Sequence, residues 1–114
     1  MIDKRVFSRY EVNFDCHLAL PGDVRVYHAT LLDLSFTGMR LLTDAPLKPG
    51  LTVAFSFTSD PPVKGKARVV WVQATKQGTM AGLEIVKLKE RFLEALQKVI
   101  NHLTMQTLSD AYVR

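Results

Sequence analysis

Hydrophobic and polar positions alternate with period two through most of the chain. Val12, Phe14, Cys16, Leu18 and Leu20 fall on one face, with Glu11, Asn13, Asp15 and His17 on the other, the pattern of a half-buried strand. Pro21-Gly22-Asp23 supplies turn chemistry. The run Val24 to Leu32 that follows is rich in β-branched residues and predicts a second strand, paired with the first as a hairpin. A short segment from Met39 to Leu42 follows Gly38, and Pro46-Leu47-Lys48-Pro49-Gly50 punctuates before a fourth strand with Leu51, Val53, Phe55 and Phe57 on one face. Asp60-Pro61-Pro62 cannot continue a central ladder, because proline lacks the N–H donor. Lys66 to Val72 predicts a fifth strand, Thr75-Lys76-Gln77-Gly78 a turn, and Met80 to Val86 a sixth strand in which Gly82 allows a bend or a close backbone approach.

The period then changes. From about Lys89 to Leu108, Phe92, Leu96, Val99 and Leu103 recur at helical spacing, widened by Leu93 and Ile100, while Glu94 and Lys98 form an i,i+4 pair opposite. Six short strands and one amphipathic helix predict a mainly β protein, a small antiparallel barrel or sandwich with the helix covering an open end or offering an interface. The 4, 3, 4 spacing would also suit a coiled-coil seam and a helix-mediated dimer, but fewer than three heptads are present, so packing on the chain's own barrel is expected.

Composition narrows the function. The chain has 114 residues, 47% of them hydrophobic, enough for one compact domain with a core. No apolar stretch approaches the roughly 20 residues that span a bilayer, and Met1-Ile2-Asp3-Lys4-Arg5 opens no secretory signal. The expectation is a soluble cytoplasmic protein without membrane insertion. A single cysteine, Cys16, rules out an internal disulfide and a multi-thiolate zinc site, and on the apolar face of its strand it reads as a small hydrophobe. His17, His28 and His102 have no metal-organising spacing, no GxSxG elbow is present, and no glycine-rich loop leads into a helix. No enzyme, metal or cofactor is therefore expected.

Charge is the remaining lead. Fifteen Lys and Arg against eleven Asp and Glu leave a net charge of +4, spread along the chain except at Lys4, Arg5 and Arg9. One short cluster suits a small anion better than DNA, which usually meets a broad basic stripe. Taken alone, the arginine pair is an ordinary solvated terminus and Asp33-Leu34-Ser35-Phe36-Thr37-Gly38 an ordinary turn. Taken together they offer more. Arginine's planar fork grips phosphate or the O6/N7 edge of guanine and stacks on a base, and a carboxylate complements guanine's Watson–Crick donors. Trp71 reads as a core aromatic, the usual place for a large ring on a strand.

Arg5-x-x-x-Arg9 followed two strands later by Asp33-x-Ser35-x-x-Gly38 resembles the signature of the PilZ domain, a bacterial receptor for cyclic di-GMP. Pro46 to Gly50, Ala67 to Val72 and Ala81 to Ile85 are similar to the remaining PilZ strands in order and spacing, so that the likeness runs from about Lys4 to Val86. It implies a six-stranded antiparallel β-barrel with a C-terminal helix. Along the chain this gives one domain over 1–114, with a flexible ligand-clamp segment at 1–10, the barrel at 11–87 and the helix at 88–110. It implies that cyclic di-GMP is held by Lys4, Arg5, Arg9, Asp33, Ser35 and Gly38, with the N-terminal segment folding over the ligand. Lys4 stands where many relatives have arginine, keeping the charge without the flat fork. Such a receptor would act on an unidentified effector protein in motility, pilus, exopolysaccharide or virulence pathways, with ligand-driven dimerisation open. Two other readings are a PilZ-like partner-binding subunit of the pilus-assembly type, without nucleotide sensing, and a small barrel stacking single-stranded nucleic acid on Phe7, Tyr10 and Tyr27.

Overall fold

The computed structural model describes the backbone of residues 9–113 and the side chains of 9–107. Six strands, β1 (Tyr10–Ala19), β2 (Val26–Leu34), β3 (Gly38–Thr43), β4 (Thr52–Phe57), β5 (Val63–Thr75) and β6 (Gly78–Lys87), precede one helix, α1 (Glu90–Val113). Every strand pairs antiparallel with its neighbours, and the order β1-β2-β3-β6-β5-β4 closes on itself as β1 meets β4. Closure removes the exposed strand edges that an open sheet of this size would present.

Period-two alternation is what fills the barrel. Cys16, Leu18, Ala29, Leu31, Leu41, Val53, Phe55, Phe57, Ala67 and Val69 all point inward and are buried. Phe57 stacks against both Phe14 and Phe55, with ring centroids 6.0 and 5.9 Å apart. The helix packs on this barrel: Ala95, Leu96, Val99 and Ile100 belong to the same buried cluster as the strand residues. A side-chain tie adds to it. Thr104 donates to the Ile100 carbonyl at 2.9 Å, which leaves the Tyr10 hydroxyl as donor in its 2.7 Å contact with Thr104.

Cys16 sits within this core, fully buried, and burial pushes its thiol up to about 12. The thiolate is the reactive form. An aromatic disulfide reagent at pH 8 should therefore label Cys16 only at the rate of unfolding, and rapid labelling of the folded chain would contradict its placement.

The ladders are irregular at four points, and three of them lie around one region. Register shifts occur between Glu11 and Phe14 in β1/β2, between Leu31 and Asp33 in β2/β3, and between Val69 and Trp71 in β5/β6. Bulges of this kind turn side chains away from the face that strict alternation assigns them. After Leu31 the inward position passes to Leu34, which frees Asp33 from the apolar interior. The fourth shift, between Lys66 and Ala67, lies further along β5/β6.

Candidate functional site

The hairpin joining β2 to β3 builds the site from its turn outward. The Ser35 N–H donates to the Gly38 carbonyl at 2.9 Å, closing a two-residue turn at Phe36-Thr37. The Ser35 hydroxyl accepts from the Thr37 and Gly38 N–H groups at 3.3 and 3.1 Å and also lies 3.3 Å from the Gly38 carbonyl. Buried and fully engaged with backbone, Ser35 fixes the turn's shape. Gly38 is required for a different reason. A Cβ there would lie 2.8 Å from the Leu83 carbonyl oxygen of β6, so only glycine lets the two strands approach this closely.

Counting outward from the closing pair places Leu34 opposite Met39 and Asp33 opposite Arg40. The first pair enters the core. The second meets at the surface, where Asp33, its side chain only 10% exposed, lies between two arginines. Arg9 Nη1 donates to Asp33 Oδ1 at 2.8 Å. Arg40 Nε lies 3.0 Å from Oδ2, an ion pair whose N–H is not aligned for a hydrogen bond, so that this buried nitrogen has no hydrogen-bond partner. The Arg9 side chain is 58% exposed, and its Nη2 reaches within 3.8 Å of where a Cβ on Gly38 would be. The result is a buried carboxylate with an exposed cation over it and a second cation held across the ladder.

From Arg9 a groove of about 200 Å³ runs along Thr37 and Gly38 to Trp71, Gly82, Leu83 and Glu84. Trp71 is therefore not a core residue, contrary to the sequence reading. Val69 points inward, but the register shift that follows it breaks the alternation, and Trp71 emerges 39% exposed on the outer surface. Its indole lies on Gly82, its cross-strand partner, where a Cβ would be 2.1 Å from Nε1. An aromatic ring covering a strand glycine in this way shields backbone that has no side chain of its own. Trp71 is the chain's one tryptophan, which makes the contact easy to follow. Gly82→Ala should push the indole off β6 and shift its emission to the red, and an unchanged spectrum would show that the ring does not rest there.

Of the six residues the sequence nominates, Arg9, Asp33 and Gly38 come together, and Ser35 stands behind them in the turn. Lys4 and Arg5 lie outside the described residues, as does most of the segment 1–10. Arg40 and Trp71 were not nominated. Arg40 was legible in principle, since a two-residue turn at Phe36-Thr37 sets it opposite Asp33; the bulge that exposes Trp71 leaves no mark in the alternation. For the nucleic-acid reading, Tyr10 and Tyr27 have their hydroxyls bound to Thr104 and Asp23, the latter at 2.6 Å, and Phe7 lies outside the described residues. Among the described residues no group of three or more His, Cys, Asp or Glu could hold a metal, and no helix is long and apolar enough to cross a membrane.

Solved structures share this architecture. The Bacillus subtilis inhibitor of motility (MotI/DgrA) superimposes with a TM-score of 0.77 at 12% identity, over 95% of this chain and 53% of its own. The PilZ domain of YcgR from Escherichia coli, solved with c-di-GMP, gives 0.74 at 18% identity, over 96% of this chain and 98% of its own. MrkH of K. pneumonia in its apo state gives 0.72 at 15%, over 96% and 55%. The chain thus spans about half the length of MotI and MrkH. No curated protein sequence is significantly similar to it. The PilZ domain model matches residues 3–102, nearly the whole chain and both arms of the site described above, and the chain belongs to the PilZ domain family.

Proposed function

We propose that the chain is a receptor for cyclic di-GMP that closes its N-terminal arginine segment on the nucleotide and so changes the surface offered to an effector protein in the cytoplasm. The observation that supports this most is the placement of Arg9 over Asp33, beside the Ser35–Gly38 turn and at the head of the groove that ends at Trp71. A carboxylate has about four lone-pair sites, and the two arginine contacts leave room at Asp33 for guanine's N1–H and N2–H. Arg9, largely in solvent, can turn its fork from Asp33 to a phosphate or to the O6/N7 edge of the same base. Lys4 and Arg5 supply further cations from the preceding segment. Closing on the nucleotide would be favoured by charge-assisted hydrogen bonds and stacking. YcgR's PilZ domain, solved with c-di-GMP, supports the ligand, and MotI, an inhibitor of motility, makes motility control a natural output.

The test is calorimetric titration with cyclic di-GMP while Trp71 emission is followed in parallel. Saturable heat with a change in emission is expected, weakening as salt screens the phosphate contacts. Absence of heat at millimolar ligand would refute the receptor reading and leave a partner-binding subunit that senses no nucleotide. Oligonucleotide binding that cyclic di-GMP fails to displace would favour the nucleic-acid reading instead.

A further inference from the structure

The basic residues that look dispersed in sequence gather in space at the far end of β5/β6 from Trp71. Lys64 and Lys66 of β5, Lys87 at the end of β6, and Lys89, Arg91 and Phe92 at the start of α1 line a cleft of about 320 Å³. Five of the chain's fifteen Lys and Arg residues therefore face one concavity. Among the described residues its walls hold no carboxylate, and Glu90, between Lys89 and Arg91 in sequence, does not line it. Arg9, Arg25, Arg40 and Arg68 are each paired with a carboxylate, whereas among the described residues none of these five cations is. Between the cleft and Trp71 on the same two strands, Arg68 pairs with Glu84, which lines the Arg9 groove.

Two of these placements are locally unfavourable. Lys66 sits directly opposite Lys87 in the ladder, and like charges facing each other across strands are destabilising. Lys89 immediately precedes α1 and Arg91 lies within its first turn, where the helix dipole favours anions. A polyanion seated in the cleft would relieve both. The floor is apolar, made by Ala54, Gly65 and the Phe92 ring. Gly65 lets β5 lie close against the chain behind it, since a Cβ there would meet Leu88 Cδ2 at 2.4 Å and the Lys87 carbonyl oxygen at 2.5 Å. Arg91 lies over the Phe92 ring, 4.7 Å from its centroid, so this ring is already covered by a cation and is a poor platform for a nucleobase.

We infer that this cleft docks an acidic polypeptide segment of a partner protein, with carboxylates on the five cations and an apolar side chain on the floor. Concavity with an apolar base distinguishes it from a surface made to lie on a flat anionic membrane, and the single covered ring from a nucleic-acid groove. The cleft shares no lining residue with the Arg9 groove, and the inference does not depend on nucleotide binding.

Fluorescence anisotropy with a labelled peptide of Glu and Asp around a central leucine tests it. Saturable binding that weakens with salt is expected, with about a tenfold loss or more in the double variant Lys66→Glu, Lys87→Glu. Lys76→Glu, in the distant β5–β6 turn, should leave binding intact. If the charge-reversed chain fails to fold, Lys64→Ala with Arg91→Ala serves, its loss expected in the same direction. The inference is overturned if the peptide does not saturate, if both cleft variants bind it like the unaltered chain, or if the same lysines instead hold phosphatidylglycerol vesicles or oligothymidine while the peptide is ignored. Cyclic di-GMP titration of the same samples separates the two readings: peptide binding without nucleotide binding refutes only the receptor, and the reverse only the cleft.

Discussion

Arg9→Ala should bind cyclic di-GMP more weakly by at least ~2 kcal/mol, the lower range for truncating one partner of a desolvated charge pair and about a thirtyfold rise in Kd. The same change should barely alter folding. With its side chain 58% exposed, Arg9 gains little from Asp33 in the free protein, because exposed ion pairs contribute about 0–1 kcal/mol. Arg40 also stays beside the carboxylate when Arg9 is lost. On the proposed reading the effect would therefore belong to the complex, where the fork would face a phosphate or a guanine edge in a groove that the nucleotide clears of water. Arg9→Lys should fall between the two, since it keeps the charge and loses the planar bidentate geometry. Calorimetry paired with a denaturant melt separates binding from stability. An unchanged Kd, or a loss matched by equal destabilisation, would remove Arg9 from the ligand contacts.

How far this site could be read from the chain depends on what kind of structure holds each residue. The strands were legible because burial has the same period as the sequence: Cys16, Leu18, Val53, Phe55 and Phe57 fall inside as alternation requires. The β2–β3 turn was legible because Ser35 and Gly38 have only a few ways to satisfy nearby backbone. Their reach across the ladder to Arg40 follows from the turn, yet a signature of fixed spacing draws attention to its own positions and passes over the facing strand. Trp71 was misread because one register shift reverses the face of everything beyond it. The five-cation cleft was invisible for another reason. Lys64 and Arg91 are brought together only when β5 pairs with β6 and α1 turns back at Lys89, so charges that look evenly spaced along the chain are concentrated by topology.

Leu96→Ala should be the most damaging single truncation to folding outside the barrel, costing about 2–5 kcal/mol. Leu96 has 0% exposure and shares a cluster with the barrel interior. Its removal leaves a cavity that the closed sheet cannot collapse to fill. Against a total stability of about 5–15 kcal/mol for a domain of ordinary size, this would lower Tm on the order of 10–20 °C. Leu93, one turn earlier and 43% exposed, provides the contrast: Leu93→Ala should stay within about 0.5 kcal/mol. The comparison decides between the two uses of the apolar stripe read from the sequence. If the Phe92, Leu96, Val99 and Leu103 seam served a second copy, Leu96→Ala would spare the dilute chain and dissociate a concentrated one. A helix packed on its own barrel predicts a melting shift that does not depend on concentration. It also predicts a consequence for the site, because Tyr10, the residue after Arg9, donates to Thr104 on this helix. Loosening α1 releases that tie, so the Leu96 variant should lose part of its affinity for cyclic di-GMP even at temperatures where it remains folded.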